Sequence, residues 1–362
     1  MTAYLLAGGG TAGHVNPLLA LADRIRAVEP EAEIAVLGTR EGLEARLVPE
    51  RGYELRTIER LPFPRRPSRY ALGFPRRYLR AVAEVRELIR DRGVDVVVGF
   101  GGYASAPAYR AAKREGVPYV IHEANALPGL ANRLGARGTP WVAVTFAGTP
   151  IRGTGGEART TGMPLRAEIA GLDRAALRDE ARRHFGLDPA RRTLLVTGGS
   201  LGARAINRGI AGSAAELVSA GAQVLHIWGG LTEIEDPGVA GYTVLPYCDR
   251  MDLAFAAADL VVSRAGSATV SEIAGLGVPA VFVPYATGNG EQRRNAAGVV
   301  EAGGALLVDD AELTPQWVRG TLIPLLLDDA RLAEMSERAR SAGALDGTER
   351  LHELVREALA DR

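Results

Sequence analysis

The sequence of 362 residues holds a single cysteine, Cys248, and a single lysine, Lys113. One cysteine excludes an intrachain disulfide and makes a reducing, cytosolic setting the default expectation. One lysine, outside any Gly-Lys-Ser/Thr context, excludes a Walker-type phosphate loop. No apolar run reaches the roughly 18 residues that a membrane-spanning helix needs. The start, MTAYLLAGGG, lacks the basic n-region and long apolar core of a signal peptide. The 43 basic and 43 acidic residues cancel, so global electrostatics argue against nucleic-acid binding.

What the chain does have is a steady alternation of short apolar runs and helical periods, the pattern of parallel α/β units. A hydrophobic content of 47% with 24% charged residues describes a globular protein, long enough for two domains. Strand candidates fall at residues 4–6, 34–37, 54–58, 94–99, 119–122 and 141–145, and again at 193–197, 223–227, 243–245, 260–263, 280–283 and 305–308. Helical periods cover 17–28, 75–92, 104–115, 204–219, 269–276 and 295–302. Residues 148–164, rich in Gly, Thr and Pro, read as a linker. The fold class expected is α/β, with two doubly wound Rossmann-like parallel-sheet domains at 1–160 and 164–343 facing a cleft. A last helical period, within 345–362, needs a partner surface and can pack back on the first domain.

Each half opens with a strand, a glycine-rich turn and a helix: LLAGGGTAGH from Leu5 and LLVTGGSLGA from Leu194. Gly8, Gly10 and Gly13 form a literal GxGxxG, which brings backbone amides to a pyrophosphate at a helix N-terminus or simply packs a tight turn. A nicotinamide site also wants an acid closing the second strand; here Leu37-Gly38-Thr39-Arg40 stands, and only Arg40, toward a 2′-phosphate, keeps NADP open. His14 follows the loop, as a general base near neutral pH or as a cap. His122 and Glu123 close the fifth strand candidate, but no second histidine or carboxylate cluster suggests a metal. The stretch SRAGSATVSEIAGLGVPAVFVPYATGNGEQRRN from Ser263 offers a helix N-terminus for phosphate and Glu272 for ribose hydroxyls. Thr269-x-x-Glu272 equally matches a capping box, in which the acid serves the helix itself. Between Arg60 and Arg80 stand seven arginines and no acid, among Leu61, Phe63, Tyr70, Leu72, Phe74, Tyr78 and Leu79. That composition fits a solvated face or a patch for an anionic membrane surface.

With GGGTAGHVNP, GFGGY, HEAN, TGMPLR, TGGSLGA, PYCDRM, RAGSATVSE and EQRRNA in one order along its whole length, the chain resembles the MurG family of GT-B glycosyltransferases. The resemblance implies an enzyme that moves N-acetylglucosamine from UDP-GlcNAc to the lipid-linked acceptor, lipid I, giving lipid II in peptidoglycan synthesis. It implies a C-terminal donor domain and an N-terminal domain for lipid I at the cytoplasmic membrane face, with no cofactor, metal or nucleic acid. Carried over residue by residue, Thr11, Ala12, Gly13 and Asn125 correspond to first-domain contacts with the donor. Arg166, Ser200, Cys248 (through its backbone), Ser267, Ala268, Thr269, Val270, Ser271, Glu272 and Gln292 correspond to the rest of the UDP-GlcNAc site. Gly10, Gly101, Gly102 and Tyr103 are expected on the acceptor pyrophosphate side, and the composition of the Arg60–Arg80 stretch makes Phe63, Leu72, Phe74, Arg76, Arg77 and Arg80 the expected membrane patch. His14 matches the proposed base, with Glu123 second. Ala12 stands where the family pattern has Gly, Ala124 where Gln is common, and Glu291 replaces the first of a Gln pair. Another GT-B acceptor, a UDP-GlcNAc epimerase, a sugar-nucleotide sensor and an NADP oxidoreductase are the competing readings.

Overall fold

A computed structural model describes residues 1–361 apart from 65, 200–201, 231–235 and 287–288. The chain divides into two compact units, Met1–Arg166 with Asp346–Arg362, and Ala167–Leu345.

In the first unit β1 (Ala3–Ala7), α1 (Ala12–Val28), β2 (Glu33–Gly38), α2 (Glu44–Glu50), β3 (Glu54–Thr57), α3 (Arg69–Asp91), β4 (Val96–Gly99), α4 (Ser105–Glu115), β5 (Tyr119–Glu123), α5 (Leu130–Ala136) and β6 (Val142–Val144) alternate. The sheet order is β3-β2-β1-β4-β5-β6, extended at the β6 edge by β9 (Arg159–Thr160), and every pairing is parallel. β1, β4 and β5 are buried along their full length, because helices cover both faces, and so they read as unbroken apolar runs. The strand order reverses between β1 and β4. Such a reversal leaves a crevice beyond the strands' carboxyl ends, where the loops after Ala7 and Gly99 emerge.

The stretch expected to be a linker belongs instead to this unit. β7 (Arg152–Gly153) and β8 (Gly156–Glu157) form a small antiparallel pair, and β9 joins the main sheet. Backbone pairing at an edge needs no side-chain period, so composition alone hides it. Thr161 and Met163 are buried behind it. The closing helix, Gly347–Ala360, returns to the first unit and buries Leu351, Leu354, Val355 and Ala358 in one cluster with Tyr4, Leu18 and Leu21. Thr348 ties it to the backbone of Leu165, taking the N–H and meeting the carbonyl, both at 3.1 Å.

The second unit repeats the plan with α6 (Ala167–Ala170), α7 (Arg174–His184), β10 (Arg192–Thr197), α8 (Arg204–Ala211), α9 (Ala214–Ser219), β11 (Ala222–Ile227), β12 (Tyr242–Leu245), α10 (Met251–Ala257), β13 (Leu260–Ser263), α11 (Ser267–Gly275), β14 (Ala280–Phe282), α12 (Glu291–Glu301), β15 (Ala305–Leu307) and later helices. Its parallel sheet runs β12-β11-β10-β13-β14-β15, again reversing beside its first strand. The helix expected over 204–219 is two, broken at Gly212-Ser213, where the Ser213 N–H returns to the Ile210 carbonyl at 3.0 Å. Sequence periodicity did not reveal α2, α5, α7 or α10, which are short or strongly polar.

Candidate functional site

The loop after β1 is built around a carboxylate that sequence reasoning passed over. Glu44, the first residue of α2, is 1% exposed. Its Oε2 accepts the Gly10 N–H at 2.7 Å, and its Oε1 accepts the Thr39 N–H and hydroxyl at 2.9 and 2.8 Å. A Cβ on Gly9, Gly38 or Gly42 would lie 2.2, 2.5 or 2.0 Å from Glu44 atoms. Those glycines therefore make room for the acid. The GxGxxG loop thus has a protein carboxylate on the amide that a dinucleotide phosphate would need. Like charge there counts against the NADP reading, and Arg40 lies outward, 3.4 Å from Thr57 Oγ1. The signal in the sequence was three glycines flanking one acid across two loops.

Thr11 is the N-cap of α1, and Ala12, Gly13 and His14 form its first turn. His14 Nδ1 lies 3.2 Å from the Gly9 carbonyl and 3.3 Å from Thr11 Oγ1. A carbonyl can only accept, so this contact assigns the proton to Nδ1 and leaves Nε2 with the lone pair. A Cβ on Gly101 would fall 3.1 Å from that Nε2, and one on Gly102 would fall 2.5 Å from the Gly9 oxygen. Both glycines have positive φ, 94° and 81°. The GFGGY turn after β4 thus packs against the first loop, and only glycine fits. Ser105 holds that turn by accepting the Gly101 N–H at 3.0 Å. Arg60 stacks on Tyr103, 4.9 Å from its ring centre.

Glu123 does not fit the role of second base. It is 2% exposed. Its oxygens accept the Asn125 N–H, the Gly129 N–H and Asn132 Nδ2, each at 2.9 Å. The carboxylate shapes the 125–132 loop, and its burial and three acceptor bonds commit both oxygens to the protein. Asn132, unnoticed in the sequence, continues to the Tyr109 hydroxyl at 2.7 Å. Burial holds the neighbouring His122 imidazole down at about 4, and His122 Nε2 meets the Gly162 carbonyl at 3.1 Å. His122 is therefore neutral and structural.

In the second unit Ser200 lies outside the described residues. Around it Gly199 and Gly202 have φ of 80° and 76°, and a Cβ on Gly229 would lie 2.3 Å from the Gly202 nitrogen. The turns after β10 and β11 therefore touch. Behind them Asn207 Nδ2 donates to the Trp228 carbonyl at 3.1 Å, and His226 bridges Asn207 and Tyr242. α11 starts at Ser267 with Gly266 as N-cap and no side-chain cap, two residues before the expected start. Glu272 is consequently a full turn inside the helix, which removes the capping-box reading. Ser267 and Ser271 are buried and Ala268, Thr269 and Glu272 half-buried, with Val270 in the core. The Ser271 hydroxyl has no hydrogen-bond partner among the described residues. Gln292 Oε1 accepts the Tyr285 N–H at 2.9 Å, so its NH₂ group is the end available to a ligand. Glu291 engages Asn289. Burial pushes the half-buried Cys248 thiol up, which keeps it protonated and a poor nucleophile. Arg166 is the last residue of the first unit.

The arginine-rich stretch leads into α3, capped by Ser68 on the Ala71 N–H at 3.1 Å. Leu72 is 84% and Phe63 56% exposed. Phe74 is half-buried between Phe63 and Tyr78, ring centres 5.5 and 6.0 Å away, so it supports the patch from below. Arg77 pairs with Glu59 and Arg80 with Glu84, while Arg76 is exposed. Among the described residues no helix is long and apolar enough to cross a membrane.

Comparison with known proteins fits this geometry. Residues 4–143 match the glycosyltransferase family 28 N-terminal domain, and residues 193–351 match its C-terminal domain. The chain is 64% identical, over 99% of both sequences, to the UDP-N-acetylglucosamine–N-acetylmuramyl-(pentapeptide) pyrophosphoryl-undecaprenol N-acetylglucosamine transferase of Leifsonia xyli subsp. xyli. The crystal structure of Acinetobacter baumannii MurG aligns with a TM-score of 0.80 and 27% identity, over 99% of this chain and 100% of that one. UDP-GlcNAc 2-epimerase from Neisseria meningitidis aligns over 99% of this chain and 100% of its own with a TM-score of 0.69, at 13% identity, and shares the fold alone. The chain belongs to glycosyltransferase family 28 and, within it, to the MurG family of N-acetylglucosamine transferases.

Proposed function

We propose that the protein transfers N-acetylglucosamine from UDP-GlcNAc to the 4-hydroxyl of the muramoyl sugar of lipid I, forming lipid II with inversion at the anomeric carbon. The observation that carries this is the 64% identity, over 99% of both chains, to a transferase named for that reaction. His14 Nε2 accepts the proton of the 4-hydroxyl, the oxygen bonds to the anomeric carbon, and the bond to the β-phosphate breaks to release UDP. The uncapped amides at the start of α11, with Ser267 and Thr269, stabilise charge that develops on the leaving diphosphate. Glu272 takes the ribose hydroxyls and the Gln292 amide reads the GlcNAc hydroxyls. The Gly101, Gly102 and Tyr103 turn receives the acceptor pyrophosphate; Gly10, expected beside them, has its N–H already taken by Glu44 and does not contribute. The exposed Phe63, Leu72, Arg76 and Arg80 bring the enzyme to an anionic bilayer as a peripheral protein, and nucleic acid is not a partner.

The test is turnover of a lipid I analogue with UDP-GlcNAc, run with and without chelator. Formation of lipid II, and a loss of turnover in His14→Ala much larger than its loss of UDP-GlcNAc affinity, are expected. Conversion of UDP-GlcNAc to its epimer without lipid II would overturn the reaction, and near-wild-type turnover in His14→Ala would overturn the base.

A further inference from the structure

We propose that Glu44 is the positioning carboxylate of His14 and acts on it through the Gly9–Gly10 peptide group; this rests on His14 as the base. The Gly9 carbonyl and the Gly10 N–H are the two ends of one peptide unit. Glu44 Oε2 takes the N–H end at 2.7 Å, and His14 Nδ1 meets the carbonyl end at 3.2 Å. The Thr11 hydroxyl oxygen, 3.3 Å from the same nitrogen, accepts from Nδ1–H as a second partner and is compatible with the same tautomer.

A carboxylate on the N–H polarises the amide, adds negative charge to its oxygen and strengthens the bond to Nδ1–H. The imidazole is thereby held in the tautomer whose Nε2 can take a proton, and the imidazolium that follows is stabilised. A carboxylate bonded directly to histidine does the same in serine hydrolases; here one peptide group stands between. No proton leaves the ring for Glu44, which keeps its three acceptor bonds throughout. Its aim is fixed: Thr39 holds Oε1 from two sides, and Gly9, Gly38 and Gly42 close around the side chain. An acid serving only the β2–α2 turn would be satisfied by Thr39. Oε2 instead reaches the one peptide that also holds His14.

Nitrogen NMR of the full-length protein with labelled histidine reads the tautomer directly. Wild-type His14 in its neutral form is expected with the proton on Nδ1; a proton on Nε2 would overturn the proposal without any variant. In Glu44→Gln the population should move toward Nε2–H, and kcat should fall about 10- to 100-fold, the range for an outer partner of a reacting group. KM for UDP-GlcNAc should change less than about twofold. Turnover of Glu44→Gln with His14→Ala should be no lower than that of His14→Ala alone. A fall in kcat with an unchanged tautomer, or full additivity with His14→Ala, would make Glu44 a purely structural acid. Should Glu44→Gln fail to fold, Glu44→Asp, which withdraws the carboxylate by one methylene, carries the same expectations. Normal turnover in His14→Ala would remove the base itself, while the wild-type tautomer would still decide the Glu44 link.

Discussion

Arg356 donates to Glu29 at 2.8 Å and so fastens the closing helix to the end of α1. The same carboxylate takes the hydroxyl of the buried Tyr4 at 2.8 Å and faces His352 Nε2 at 3.3 Å. Arg356 is 59% exposed, so Arg356→Ala should cost less than about 1 kcal/mol. Glu29→Ala strands the Tyr4 hydroxyl in the core and should cost about 2–3 kcal/mol. Burial raises the Glu29 pKa, but the Arg356 and Tyr4 bonds outweigh it and the folded value is lowered. Its stabilising contribution is thus present above the ordinary carboxylate range and lost as pH falls through the folded value. Urea melts of the two variants at neutral pH, and of wild type into acid, check both statements.

Each unit carries one buried histidine that burial holds at about 4, His122 in the first and His226 in the second. The unfolded chain binds a proton at about 6.5. Between these values the unfolded state holds more protons, so stability falls as pH drops from 6.5 toward 4. At pH 5 the loss should be about 2 kcal/mol per histidine. His226→Asn should flatten that pH dependence by one proton in equilibrium unfolding, even if its neutral-pH stability is lower. An unchanged slope would mean that His226 is not buried as a neutral ring.

The alternation of elements was legible because parallel strands covered on both faces leave uninterrupted apolar runs. The glycine loops were legible because a turn after a strand concentrates glycine in sequence. What stayed hidden depends on contacts between distant segments. β9 pairs through backbone alone, α10 is a helix of seven residues, and Glu44 reaches its partners from beyond the second strand. Thr269-x-x-Glu272 left a cap and a ribose contact equally open because the true start of α11 is set by Gly266, which carries no cap side chain.

Gly101 and Gly116 separate backbone strain from site geometry. Both have positive φ, 94° and 69°, but only Gly101 has a neighbour in the way. Gly116→Ala should lose about 1 kcal/mol of stability and keep full turnover. Gly101→Ala should suffer the same strain and also push His14 from its place, lowering kcat more than about tenfold. Equal turnover in the two variants would mean that the Gly101–His14 contact does not matter to the reaction.

Membrane attachment should depend on Leu72 and Phe63 rather than on apolar exposure in general. Leu327 in the second unit, 42% exposed, supplies the comparison. If the two patch side chains enter the interface, Phe63→Ser with Leu72→Ser removes about 2 kcal/mol of apolar transfer, roughly a 30-fold loss of partitioning. Arg76→Ala and Arg80→Ala each remove about 1 kcal/mol against an anionic leaflet, and their effect should fade as salt shortens the Debye length. Co-sedimentation with vesicles containing phosphatidylglycerol measures both, and turnover of a short-chain, water-soluble acceptor should be unchanged in all four substitutions. Leu327→Ser should leave partitioning as it is. If it weakens binding as much as the patch pair does, the attraction is unspecific and the α3 face is not the docking surface.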